Sequence, residues 1–199
     1  MSNAYYLFID IGAFILFALL HTFLASFKVK SILAKRIGSA MAFYRLAYNI
    51  IFLWLFWYLY ENLPRPDAEL FDLKYPWDII ILIPQFLSLA GIIWTFRYFS
   101  PGEFLGISQI KRWKDGDVFD EKLTLKIEGP YKVVRHPLYL FTIIFLILRP
   151  TMDMFYLVFL IFLIAYFYIG SFYEERKLVS AFGDRYREYQ ESVPRLFPH

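Results

Sequence analysis

The chain has no cysteine among its 199 residues. Disulfides, thiolate metal sites and a cysteine nucleophile are therefore excluded. Imidazole is nearly as scarce. Only His21, His136 and His199 offer it, and they form no spaced cluster with carboxylates, so no zinc or iron centre is expected. Internal repeats and low-complexity segments are missing. So is a strong charge of one sign: the net charge is +3, a bias that suits membrane-flanking loops and makes no case for nucleic acid. The first apolar stretch has no basic segment before it and runs too long for a signal core, so no cleavable leader is expected.

What the chain has in excess is apolar surface. It is 59% hydrophobic and 22% aromatic, with a mean hydropathy of +0.45, against about 45–50% apolar in an ordinary soluble domain. The excess falls in blocks. A spanning helix needs about 20 apolar residues, and residues 5–25, 41–60, 77–99 and 154–173 come near that. A fifth stretch, "LYLFTIIFLIL" at 138–148, covers only half or so of a ~30 Å hydrocarbon core at about 1.5 Å per residue. "RPTMD" at 149–153 reads as a turn. Residues 138–173 are thus expected to be a hairpin with one short and one full arm.

Lys and Arg alternate with this map. Lys28, Lys30, Lys35 and Arg36 follow the first span, residues 61–76 are poor in both, residues 100–137 are rich in both, and the tail carries Arg176, Lys177, Arg185, Arg187 and Arg195. The positive-inside rule then puts the N-terminus outside and the C-terminus in the cytoplasm. The expected fold is all-α and integral to the membrane, with about five transmembrane helices, the last two a helix-turn-helix hairpin. A cytoplasmic loop over 100–137 and an amphipathic C-terminal helix complete it. One domain, 1–199, is expected, with three N-terminal helices in 1–99 and the loop, hairpin and tail in 100–199. Within the loop, "KDGD" at 114–117 is a turn signal, and the weak alternation over 118–129 suggests a short hairpin. In the tail, Leu178, Phe182, Tyr186, Tyr189 and Val193 recur at helical spacing, Gly183 interrupts them, and Asp184 is a candidate N-cap.

Two polar clusters meet the membrane at the two ends of the expected hairpin. One is Tyr131, Arg135, His136 and Tyr139 in "GPYKVVRHPLYL". The other is Glu174, Glu175, Arg176 and Lys177. Folding the hairpin makes them neighbours. A guanidinium and an imidazole beside two carboxylates can hold a zwitterionic ligand, because Arg grips a carboxylate as a fork and Glu accepts from hydroxyls or faces a cation. Pro137 suits a first helical turn, whose early N–H groups then stay open to an anion. Set against this, Arg135 also reads as a snorkelling anchor and "EERK" as a solvated helix face. Other polar residues inside spans are His21, Arg45 and Asn49, candidates by default, with helix packing and headgroup contact as the plainer readings. Gln85 beside Pro84 reads as kink packing, and Arg149 as a cap on helix carbonyls.

"GPYKVVRHPLYL" followed by "FYEERKLVSAFGDRYREYQESVPRLFP" resembles the membrane methyltransferases of the isoprenylcysteine carboxyl methyltransferase superfamily, over about residues 100–199. "HTFLASFKVK", "YRLAYN" and "FLGISQI" look more like the branch that contains methanethiol S-methyltransferases and NnrU-type proteins. The resemblance implies S-adenosylmethionine as cofactor. It implies Gln109, Tyr131, Arg135, His136, Pro137, Leu138, Tyr139, Glu174 and Glu175 as cofactor residues, with Arg135 at the methionyl carboxylate and one of the two glutamates at the ribose. His136, Arg135 and His21 are the catalytic candidates, and Tyr44, Arg45 and Asn49 would face the acceptor. That acceptor is expected to be a small or lipid-like thiol, entering from the bilayer of a prokaryotic plasma membrane. A prenylcysteine carboxylate, a lipid amine, and a non-enzymatic sensor or transporter are the alternatives.

Overall fold

The computed structural model describes residues 3–117 and 123–197. Its helices follow the apolar blocks. Four among the described residues are long and apolar enough to cross a membrane: Asn3–Ala25, the continuous run Phe27–Asn62, Trp77–Phe96 and Met154–Phe182. The protein is therefore an all-α integral membrane protein. His199 and residues 118–122 of the suggested hairpin lie outside the described residues, and residues 123–127 form no strand.

The chain groups into two compact units. The first to be described comprises residues 8–64 and 100–122. Helix α1 (Asn3–Ala25) breaks at Ser26, whose hydroxyl caps α2 (Phe27–Ile37) by accepting from Val29 N at 3.4 Å. The apolar pattern does not mark α2 as helix, because its basic residues interrupt the run. A 3₁₀ turn (Gly38–Phe43) leads into α3 (Tyr44–Asn62), which stops where Pro64 disfavours helix in the residue before it. Along α1, Asp10, Phe14 and Phe17 are buried on one face, the spacing of a helical stripe. Neither carboxylate oxygen of Asp10 has a hydrogen-bond partner among the described residues; no contact explains it. Two short helices follow, α6 (Pro101–Leu105) and α7 (Ile107–Lys114), so the 100–137 segment is in part a folded element. Gly106 between them has φ +92°, and a Cβ there would lie 2.6 Å from the Leu46 backbone nitrogen. Only glycine allows that approach of the α6–α7 corner to α3.

The second unit comprises residues 1–7, 65–99 and 123–199. Helices α4 (Trp77–Ile80) and α5 (Leu82–Phe96) are one span broken at Ile81, where Pro84 has no N–H to give the carbonyl of Ile80. The buried face of α5 is small and polar: Ser88, Gly91 and Thr95. Small residues let a neighbour approach closely in a membrane, and α8 (Pro137–Ile147) packs there. Gln85 does more than fill a kink: its amide donates to the Phe145 carbonyl of α8 at 3.0 Å.

Helix α8 has 11 residues, roughly 16 Å of rise, too short to span. Residues 149–153 are not a simple turn. Strand β2 (Thr151–Asp153) pairs antiparallel with β1 (Glu69–Asp72), so the backbone beyond the short helix is satisfied by a two-stranded ribbon instead of more helix. Among the described residues Arg149 caps no helix carbonyl. It donates to Thr151 Oγ1 at 3.2 Å and lies 3.9 Å from the Tyr156 ring centre. Asp153 caps α9 (Met154–Phe182), accepting from Tyr156 N at 2.7 Å. At 29 residues, or about 44 Å, α9 outruns the hydrocarbon and carries Glu174 and Glu175 past its apolar part. Gly183, not Asp184, is the cap between α9 and α10 (Asp184–Ser192), because the break needs a backbone that turns with positive φ. Tyr186, Tyr189 and Val193 are buried together against Leu178, Val179, Phe182 and Leu125, the stripe expected from the sequence.

The Gly106 corner yields a prediction. Gly106→Ala should lower thermal stability in detergent by about 1–3 kcal/mol, while Gly12→Ala, with nothing within 4 Å of the added carbon, should leave the melting temperature unchanged or raise it.

Candidate active site

The site grows out of a turn, a helix start and a helix end. Gly129 has φ +58°, and a Cβ there would meet the Tyr98 ring at 2.4 Å, so the 3₁₀ turn Gly129–Lys132 lies flat on the end of the preceding span. After four intervening residues Pro137 opens α8, and no side chain caps that first turn. The N–H groups of Leu138 and Tyr139 therefore keep the orphan character of helix-start donors.

The side chains before that helix are held by α9. Arg135 forks onto Glu175, with Nε to Oε1 at 2.8 Å and Nη2 to Oε2 at 3.2 Å. Its Nη1 donates to the carbonyls of Gln190, at 2.8 Å, and Val193. Both members of the pair are almost fully buried, at 8% and 3% side-chain exposure. Glu175 also accepts from Gln190 Nε2 at 2.8 Å and Arg195 Nη2 at 3.0 Å, and His136 Nε2 lies 3.1 Å from its Oε1. A carboxylate only accepts, so the ring hydrogen of His136 sits on Nε2. The backbone joins in. Arg135 N donates to Pro194 O at 2.8 Å and His136 N to Arg195 O at 3.1 Å. The C-terminal tail thus returns and pairs with the Arg-His step.

Glu174 is placed differently. Its side chain is 50% exposed, with His136 Nδ1 at 3.6 Å, and it accepts from the Tyr139 hydroxyl at 3.0 Å. Tyr139 is the middle of a three-ring stack, parallel to His136 at 5.2 Å and to Phe167 at 4.6 Å. Tyr131 lies in the same neighbourhood: burial, then the charge of Glu174, pushes its phenol up to about 12. Burial likewise raises Tyr186 and Tyr189 far above neutrality. All three are neutral phenols at physiological pH, and the Tyr189 hydroxyl donates to Tyr131 O at 2.6 Å.

The chain's sequence relatives agree on one name. It is 32% identical to a protein named methanethiol S-methyltransferase from a Pseudomonas sp., over 72% of this chain and 54% of that protein. It is 28% identical to methanethiol S-methyltransferase 1 of Bradyrhizobium diazoefficiens, over 99% of this chain and 68% of that protein. With methanethiol S-methyltransferase of Pseudomonas deceptionensis it is 27% identical, over 96% of this chain and 72% of that protein. By sequence the chain is similar to these proteins over most of its own length. The chain spans about half the length of the first of these relatives. No protein-family profile matches the chain, and no solved structure matches it.

Among the residues singled out in the sequence, the fold gathers Tyr131, Arg135, His136, Pro137, Leu138, Tyr139, Glu174 and Glu175 into one cluster. The others lie in the unit formed by residues 8–64 and 100–122. There the Tyr44 hydroxyl donates to Leu24 O at 2.7 Å, and Arg45 Nε and Asn49 Nδ2 both donate to Phe104 O, at 2.9 and 2.8 Å. These bonds tie α1 and α6 to α3. His21 sits among the rings of Phe17, Tyr48 and Phe52, its carbonyl accepting from Tyr48. Gln109 is buried and donates to Glu103 Oε2 at 3.2 Å, while Arg112 forks onto the same carboxylate. Sequence reasoning missed Gln190 and Arg195. Gln190 carries no signal of its own in the sequence and Arg195 is one of several basic residues of the tail; the return of the chain at Ser192–Pro194 gives them their roles.

Removing one partner of a buried ion pair leaves the other charge uncompensated. Arg135→Ala and Glu175→Ala should each cost about 3–5 kcal/mol, read as a large fall in detergent melting temperature. Glu174→Ala, at a half-exposed position, should change it little.

Proposed function

We propose that the chain is a membrane methyltransferase that uses S-adenosylmethionine to methylate a small thiol. The observation that carries this reading is the arrangement of an uncapped helix start, an imidazole and a half-open carboxylate within one cluster at the end of an apolar helix, in a chain whose relatives are named as thiol methyltransferases. The residues fit the cofactor's chemistry. The first-turn N–H groups of Leu138 and Tyr139 suit its carboxylate. A carboxylate with open lone pairs suits its ribose hydroxyls. With four hydrogen bonds made inside the protein, Arg135 supports the carboxylate end through the backbone it holds more than through its own guanidinium.

When bound, the cofactor supplies a methyl group already activated on a sulfonium, so no covalent enzyme intermediate is needed. The protein's part is to align the two reactants and exclude water. A thiol must lose its proton to attack. With Nε2–H turned to Glu175, His136 Nδ1 is the atom of the cluster that can take it. Neutral Tyr131 and Tyr189 cannot serve as bases near pH 7. The alternation of basic and poor loops supports a cytoplasmic face for the cluster and an outside N-terminus, in the plasma membrane of a prokaryote.

Purified in detergent, the chain should transfer labelled methyl from S-adenosylmethionine to methanethiol, and transfer instead to a prenylcysteine carboxylate or a lipid amine alone would overturn the thiol reading. His136→Gln should slow thiol methylation by about 10²-fold or more. That deficit should shrink as pH rises, because the acceptor then ionises unaided.

A further inference from the structure

We infer that α2 and α7 form a docking surface for anionic lipid headgroups, in the leaflet that α1 reaches at its Ala25 end. The inference needs no part of the methyl-transfer reading. It starts from where α2 lies. The apolar helix α1 ends at Ala25, Ser26 breaks the chain direction and caps, and α2 begins at the next residue. The apolar helix α3 follows after one 3₁₀ turn. Tied between two spans, α2 is held at the membrane surface.

Its side chains suit that place. Helix α2 has no buried residue. Val29 and Leu33, one turn apart, are half-buried. Away from them, Phe27 is 78% and Ile32 55% exposed, with the exposed Lys28 and Lys35 between them around the helix. At an interface the apolar groups sink to the acyl boundary, and the lysine stems reach back to the headgroups. Helix α7 stands on the same surface. Gly106 brings the α6–α7 corner against the start of α3, and the half-exposed Trp113 ring meets Phe43 at 5.2 Å, at the depth where tryptophan is favoured.

Charge names the partner. Helix α2 carries Lys28, Lys30, Lys35 and Arg36, helix α7 carries Lys111, Arg112 and Lys114, and neither contains an acid. No acidic residue falls anywhere between Asp10 and Glu61. Glu103 takes up Arg112, and Asp115 and Asp117 after α7 offset part of the rest. Lys28, Lys35, Lys111 and Lys114 form no ion pair among the described residues. A zwitterionic headgroup brings its own cation to such a surface and an anionic one does not, so the positive excess selects lipids of net negative charge.

The absence of cysteine allows a site-specific test. The full chain carrying Ile32→Cys, labelled there with a fluorophore, is placed in phosphatidylcholine nanodiscs. Quenching by nitroxide-labelled phosphatidylglycerol is compared with quenching by phosphatidylcholine bearing the nitroxide at the same position and mole fraction. The ratio of the two reads local enrichment and cancels depth. It should be about threefold or more at position 32. At a Trp77→Cys label, in the acid-flanked segment after α3, it should be about one. Lys28→Gln with Lys35→Gln should lower the ratio at position 32, and adding Lys111→Gln and Lys114→Gln should bring it to about one. Lys28→Arg with Lys35→Arg should keep it, and raised ionic strength should lower it. A wild-type ratio near one, or a ratio that survives the fourfold lysine replacement, overturns the lipid selectivity. A label at position 32 that neither lipid quenches overturns the seating of α2 in the leaflet.

Discussion

One buried fork, Arg135 on Glu175, decides where the rest of the cluster stands. Two charges withdrawn from water are tolerated only if their remaining donors and lone pairs are also satisfied. That requirement explains the company they keep: an imidazole, an amide, a second guanidinium and two tail carbonyls. The fork joins the residue before α8 to the polar end of α9, and the tail is recruited to complete it. Helix α8 then starts at a fixed point beside α9, with its first turn uncapped.

The hairpin is unequal for a reason that belongs to the membrane. Backbone groups in hydrocarbon must be satisfied within the protein. Helix α8 ends after 11 residues, and the β1–β2 ribbon takes over the backbone pairing beyond it. A short helix sets its two ends at different depths from those of a full span. The apolar arm α9 can then run on to present its glutamates beyond the hydrocarbon, opposite the Arg-His step.

Much of this was legible in the chain. The long spans, the short arm, the meeting of RHP with EE and the buried stripe of Tyr186, Tyr189 and Val193 all follow from runs and periodicities a few residues long. The misreadings share a cause. Residues 151–153 look like a turn until a strand far earlier in the chain, Glu69–Asp72, pairs with them, and α2 looks like a loop because basic residues break its apolar pattern. Asp10, buried in α1, was passed over within an apolar run, since burial of one polar residue depends on which helix face meets a neighbour.

What the sequence by itself determined is the set of segments that must be helical in a membrane and the chemical groups at their ends, because both are consequences of local apolar length and residue type. Tertiary structure alone decided the partnerships: which glutamate is closed and which is open, that Arg135 is spent within the protein, and that Gln190 and Arg195 belong to the cluster. Those outcomes hang on a chain reversal and on side-chain contacts up to 58 residues apart. They are settled by the competition of several donors for one desolvated carboxylate, which no short stretch of sequence encodes.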